Sequence, residues 1–294
     1  RTSEQIYDLY LGFGSLDTTE EWLAKHREQQ AAFKERFPYP NLRSVQSLKV
    51  IEPEPPLDER GEPWFPWRWR VDSINGTQTV SEILDQANWI EDHGISTLFR
   101  IGHSCMPFVT IDTAERILEA APEHTLGFKT AEDENLELIP RYFEHYFRPL
   151  CDLGLQHGNA LCLTKNKGIW WFSSPADPHV FNALFNDGRS EVAVAATEDS
   201  NSRTPGMNLM ARGGLWQAGL LRNNDVSIHR DIFSFNRFHQ WEYPRVGHPF
   251  LRLLVAHATL GMTQVSSRLR DMEILGGEEG PGGIGSQSTE IFYD

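Results

Sequence analysis

Apolar and polar positions along this chain follow two rhythms, and the switch between them marks its elements. Short apolar runs that end in polar or charged residues lie at 67–72, 97–102, 126–131, 159–164, 191–197, 226–231 and 262–267. Between most of them lie longer stretches with apolar residues three and four apart, at 79–93, 110–121, 135–157, 178–185, 205–221 and 249–260. The first of these predicts a helix ended by Gly94, the third a helix kinked at Pro149, and the fifth a helix opened by Pro205. Upstream the pattern differs. Ile6, Leu9, Tyr10 and Phe13 form one helical stripe, and 20–37 forms a second, heavily charged one stopped by Pro38 and Pro40. A short strand is expected near 45–51, followed by a proline-rich acidic loop to residue 66.

Strands that alternate with helices at this spacing imply parallel βαβ units with right-handed crossovers. The expected class is α/β, a (β/α)₈ barrel, with 1–66 as a preceding helical segment and loop and 67–294 as the barrel. Seven units are visible, so the eighth is expected beyond residue 294 or built differently. An open doubly wound sheet carries a glycine fingerprint after its first strand, and Asp72-Ser73-Ile74-Asn75-Gly76-Thr77 is not one. The chain opens on Arg1 and stops at Asp294 in what reads as mid-element, as a piece of a longer protein would.

Composition narrows the chemistry. A net charge of −14 argues against nucleic acid or an anionic membrane as partner. No apolar run is long enough to insert in a membrane, and three scattered cysteines give neither a disulfide framework nor a zinc site. Nine tryptophans, 17 phenylalanines and seven tyrosines supply both a large core and faces on which sugar rings can stack. No cofactor or metal is implied. A metal-dependent amidohydrolase barrel wants His-x-His on its first strand, and the corresponding residues are Arg68-Trp69-Arg70.

In such barrels the chemistry stands at the C-terminal ends of the strands. The acids there are Asp133, Glu198, Asp199 and Asp231, with Glu132 and Glu134 beside Asp133. The cationic and imidazole groups are Arg100, His103, Lys129, Lys165, Arg203, His229 and Arg230. Trp170, Trp171 and Trp241 are the candidate stacking platforms. Alternation along the strand at 191–197 groups Asp199 with Ala193 and Ala195, and Glu198 with the valines. Two carboxyl groups facing each other across a barrel mouth are the apparatus of glycoside hydrolysis, and arginine or lysine beside them suits an anionic sugar. The expected function is therefore hydrolysis of an anionic polysaccharide. Glu198 or Asp199 would face Asp133 or Asp231, and the cations would bind substrate. A polysaccharide lyase using His103, His229 and Arg230, and a non-catalytic carbohydrate-binding barrel, are the alternatives.

Three segments carry a family resemblance: Ala196-Thr197-Glu198-Asp199-Ser200-Asn201-Ser202-Arg203-Thr204-Pro205, Phe128-Lys129-Thr130-Ala131-Glu132-Asp133, and Leu163-Thr164-Lys165-Asn166. With them the chain resembles the (β/α)₈ glycoside hydrolases that degrade sulfated algal galactans, of the λ-carrageenase type. The resemblance covers about 67–268 and implies a secreted or periplasmic endo-acting hydrolase, with strand-end acids as the catalytic pair and cations as sulfate ligands.

Overall fold

The computed structural model describes residues 7–11, 19–36, 38, 42–63, 76–166, 170–198, 205–228, 259 and 262–267. The chain begins with a strand, β1 (Tyr7–Leu11), and a helix, α1 (Glu20–Arg36). Two short strands follow, β2 (Leu42–Ser44) and β3 (Gln46–Lys49), separated only by Val45. From α2 (Val80–His93) the βα order is regular, with β4 (Thr97–Arg100) next. A small hairpin, β5 (Gly102–His103) and β6 (Met106–Pro107), stands on the end of β4 before α3 (Ile111–Ala120). Then come β7 (Thr125–Lys129), α4 (Ile139–Tyr142), α5 (Arg148–Gln156) and β8 (Leu161–Asn166). The chain continues through α6 (Trp170–Ser173), α7 (Pro178–Phe185), β9 (Ala193–Glu198), α8 (Pro205–Gln217), β10 (Asn223–Ile228) and β11 (Met262–Ser267).

The main sheet runs β2-β1-β11-β10-β9-β8-β7-β4-β3, every pair parallel. Its two ends, β2 and β3, are halves of one chain segment. β2 pairs with β1 and β3 pairs with β4, so the order returns on itself as a ring of eight strand positions among the described residues. This is the (β/α)₈ barrel expected from the sequence, with one correction. The segment expected to be helical at 6–13 is the strand Tyr7–Leu11, and with 42–49 it contributes two of the eight positions. An apolar spacing of three then one over so few residues fits either period, and pairing with β2 and β11 decides it. The strand expected at 67–72 and the helix expected at 249–260 lie outside the described residues, Thr259 excepted.

Two faces of the sheet can be told apart by what packs on them. Phe99, Ile101, Phe128, Cys162, Ala193 and Ala195 share one buried cluster with helical residues such as Ile83, Ile90, Ile117, Leu150 and Leu184. Val45, Leu98 and Leu126 form a second set, and Leu161, Leu163, Val194 and Ala196 a third, with no helical member in either among the described residues. These line the inside of the ring. Leu126 and Phe128 are two residues apart yet lie on opposite faces, because Gly127 inserts a bulge where the β4–β7 register shifts. Gly127 has φ 139°, and a Cβ there would stand 2.0 Å from the Leu161 carbonyl oxygen. The bulge restores an inward position at Lys129, the register partner of Arg100.

Local signals behave as the sequence predicts. Thr79 and Glu82 form a reciprocal capping box at the start of α2, and Gly94 ends that helix in the left-handed conformation. The long helix expected at 135–157 carries a π-helical stretch, Phe143–Phe147, just before Pro149, which stands at the second position of α5. Among the described residues no helix is long and apolar enough to cross a membrane.

Candidate active site

Three strand ends place cations side by side. Lys49 is the register partner of Arg100, and Arg100 of Lys129. All three have the inward parity of Val45, Leu98 and Leu126 once the Gly127 bulge is counted. Lys165, two residues beyond the inward Leu163, adds a fourth on β8. All four are half-buried. Burial, and then the charge of Arg100, lowers the pKa of the Lys49 ammonium. The barrel mouth therefore carries a cationic arc inside a protein that is acidic as a whole.

Just beyond the arc, the connections leaving β4 and β7 interlock. Asp133 is completely buried. Its Oδ1 accepts the Cys105 backbone N–H at 3.0 Å, and its Oδ2 accepts the hydroxyls of Thr164, at 2.9 Å, and Thr130. Its own N–H donates to the Lys165 carbonyl, and Ser104 N–H donates to the Ala131 carbonyl. Burial raises the carboxyl's pKa, while these hydrogen bonds and the nearby His103 oppose the shift. Asp133 is a latch that ties three strand ends together. It has no surface with which to touch a sugar, which corrects its expected catalytic place.

The latch dictates the loop around it. Ser104 (φ 56°), Cys105 (φ 60°) and Glu132 (φ 57°) all sit in the left-handed region, although none is glycine or asparagine. This turn undoes strand alternation: Asp133 turns toward Thr130 and Thr164, positions of opposite parity to Lys129 and Lys165, and Glu132 keeps a side chain 34% exposed. His103, whose side chain is 6% exposed, lies between the two loops, with Nδ1 2.7 Å from Ser104 Oγ and Nε2 3.7 Å from Glu132 Oε1. It is too enclosed to serve as a broad substrate contact.

The tryptophans require a second correction. Trp171 is fully buried, with Nε1 donating to the Ala196 carbonyl at 2.8 Å and its backbone N–H donating to Asn208 Oδ1 at 3.1 Å. Trp170 is 6% exposed and packs on Trp171 and Phe143. Both are core residues that join α6 to β9 and α8, and neither offers a face to a sugar. On the same helix Phe172 is the exposed aromatic.

On β9 the inward set is Val194 and Ala196, and Glu198 continues that parity as the register partner of Ser227. Ala193 and Ala195 belong to the helix-side cluster, so position 198 has the lumen's parity. Asp199, Arg203, His229, Arg230, Asp231 and Trp241 lie outside the described residues. Of the predicted groups, the fold brings together Arg100, Lys129, Lys165, His103 and Asp133. It adds Lys49, which the sequence-based site omits, and Glu132, which the sequence offers only as a neighbour of Asp133.

A closed parallel barrel with charged groups gathered at the C-terminal strand ends is the architecture of many glycoside hydrolases. The chain has that fold. Its backbone matches the catalytic module of a family 98 glycoside hydrolase from Streptococcus pneumoniae TIGR4 with a TM-score of 0.55 at 13% identity, over 90% of this chain and 46% of that one. A second structure of that module, in complex with the H-disaccharide blood group antigen, matches equally well. The family model described as lambda-carrageenase middle domain matches residues 68–275, well over half of the chain, and the chain belongs to that family. Curated relatives include lambda-carrageenases of Pseudoalteromonas carrageenovora and of a Pseudoalteromonas species, each 23% identical over 197 residues, or 66% of this chain. The chain spans only about a fifth of their length, since the matched region is 20% of each.

Proposed function

We propose that this barrel hydrolyses glycosidic bonds of a sulfated galactan of the λ-carrageenan kind, outside the cytoplasm, where such a polymer is found. The observation that carries the proposal is the alignment of Lys49, Arg100 and Lys129 on neighbouring strand ends. Cations gathered at neighbouring strand ends, with the charge of Arg100 felt by Lys49, suit a substrate with an anionic group on its sugar units. Arginine offers a sulfate paired N–H donors in one plane, and lysine offers a compact charge. Membership of the lambda-carrageenase middle-domain family supports the same substrate class.

Hydrolysis needs one carboxyl group to protonate the leaving oxygen and another to activate water or attack the anomeric carbon. Glu198, at a lumen-parity position that ends β9, is our choice for one of them, with Asp199 and Asp231 as the neighbouring acids. Arg203, His229, Arg230 and Trp241 are assigned to the substrate, as expected from the sequence.

Incubation with λ-carrageenan tests the proposal. New reducing ends should appear without an ultraviolet-absorbing product. An unsaturated, absorbing product would make the protein a lyase. Binding without new reducing ends would make it a carbohydrate-binding barrel.

A further inference from the structure

We infer that Glu132 is a catalytic carboxylate of this barrel and that buried Asp133 and His103 are the residues that position it. The inference rests on the hydrolytic function proposed above.

Four observations converge on Glu132. It stands three residues past Lys129, at the mouth end of a barrel strand, and it keeps a partly exposed carboxylate where the adjacent acid is sealed. Its backbone has φ 57°, a conformation that is unfavourable for a non-glycine residue and gathers at functional sites. The facing loop makes the same sacrifice twice, at Ser104 and Cys105. Glycine or asparagine would turn either loop more cheaply, so the side chains themselves account for what stands there. Third, the strained turns are locked from below: Asp133 takes the Cys105 N–H and the two threonine hydroxyls, and Glu134 N–H closes on the Glu132 carbonyl at 2.8 Å. Fourth, His103 is held by Ser104 Oγ on one side and presents Nε2 to Glu132 on the other, which limits the rotamers that the carboxylate can take.

In the reaction, Glu132 as the carboxylic acid gives its proton to the glycosidic oxygen while that oxygen keeps the electron pair of the breaking C–O bond. Water supplies the hydroxyl that ends on the anomeric carbon, and its other proton restores the carboxyl pair that Glu132 forms with a second acid. Arg100 and Lys129, three residues before His103 and Glu132 respectively, lie next to this point and would hold a sulfate of the same sugar unit.

The test compares E132Q and D133N with the wild-type chain on λ-carrageenan, by reducing-end release, by retardation in a gel containing the polymer, and by melting temperature. E132Q should lose about a thousandfold in rate with retardation and melting unchanged, and E132S serves the same comparison if glutamine is not tolerated. D133N, whose amide oxygen still accepts the Cys105 N–H but whose NH2 cannot accept the threonine hydroxyls, should lower kcat about tenfold with gel retardation unchanged, and a D133N kcat equal to wild type would remove Asp133 as a positioning residue. An E132Q rate within tenfold of wild type overturns the assignment and leaves the hydrolytic function standing. So does an E132Q that loses gel retardation together with its rate, since that is a binding role. A wild-type chain that releases no reducing ends removes the function and the assignment together.

Discussion

Lys49 and Arg100 are register partners on adjacent parallel strands, two like charges held side by side at the barrel mouth. Burial and the guanidinium together lower the lysine's pKa, so the fold disfavours its charged form. The penalty applies at neutral pH and disappears as the pH rises above the ordinary lysine value of 10.5. At neutral pH and low salt, K49M should therefore be more stable than wild type by about 0.5 kcal/mol, as read from urea unfolding. Sulfate should raise the wild-type melting temperature more than that of K49M. A K49M protein that is less stable at low salt would show that Lys49 gains more from its surroundings than burial and Arg100 cost it.

Asp133 gives a prediction of opposite kind. D133A strands the Cys105 N–H and two threonine hydroxyls in a buried place, and should cost about 1–3 kcal/mol for each group left unsatisfied. D133N should cost much less. Because the buried carboxyl titrates above the ordinary aspartate range, its contribution is greatest when it is protonated and is lost as the pH rises through that raised value. Wild type should accordingly gain on D133N as the pH is lowered, measured by denaturant unfolding across an acid series. A gain in the other direction would mean that the hydrogen bonds outweigh burial.

A third prediction concerns α1. His26 stacks on Trp22, with ring centroids 4.7 Å apart, and burial lowers its pKa from 6.5 to about 4. Trp22 in turn meets Trp89 of α2 at 6.0 Å. A histidine held neutral in this way contributes stability that is present above pH 6.5 and lost as the pH falls toward 4. Wild type should weaken across that window, and H26L should show a smaller loss. Equal losses would place the acid sensitivity elsewhere.

The βα rhythm from residue 79 to residue 228 was legible in the sequence because its helices carry their own punctuation. Thr79 with Glu82 starts one, Gly94 ends it, and Pro205 opens another. The beginning was not. The pentapeptide Tyr7–Leu11 becomes a strand only through partners thirty-five and more than two hundred and fifty residues away. Read as a helical preface, that region conceals Lys49, which stands at a barrel strand end beside Arg100.

At the site, strand alternation was extended one step too far. Carried past Lys129 it sets Asp133 on the lumen side, whereas the left-handed turn at Glu132 sends the sealed acid toward Thr130 and Thr164, whose positions have the opposite parity. Trp170 and Trp171 read as platforms because aromatics beside a strand end fit a cleft or a core equally well. The carbonyl of Ala196 and the side chain of Asn208 settle the matter for Trp171, and no local pattern announces either partner.

The central claim is that a strand-end cationic arc reads the sulfate of a polymer whose bonds this barrel hydrolyses. The most direct measurement is the rate of reducing-end release from λ-carrageenan and from the same polymer after desulfation, for wild type and for K49Q, R100Q and K129Q. Wild type should strongly prefer the sulfated polymer. Each substitution should raise KM on it about tenfold or more, the loss of one charge-assisted hydrogen bond, while leaving the slow rate on the desulfated polymer unchanged. Equal rates on the two polymers, or substitutions that depress both alike, would contradict the claim.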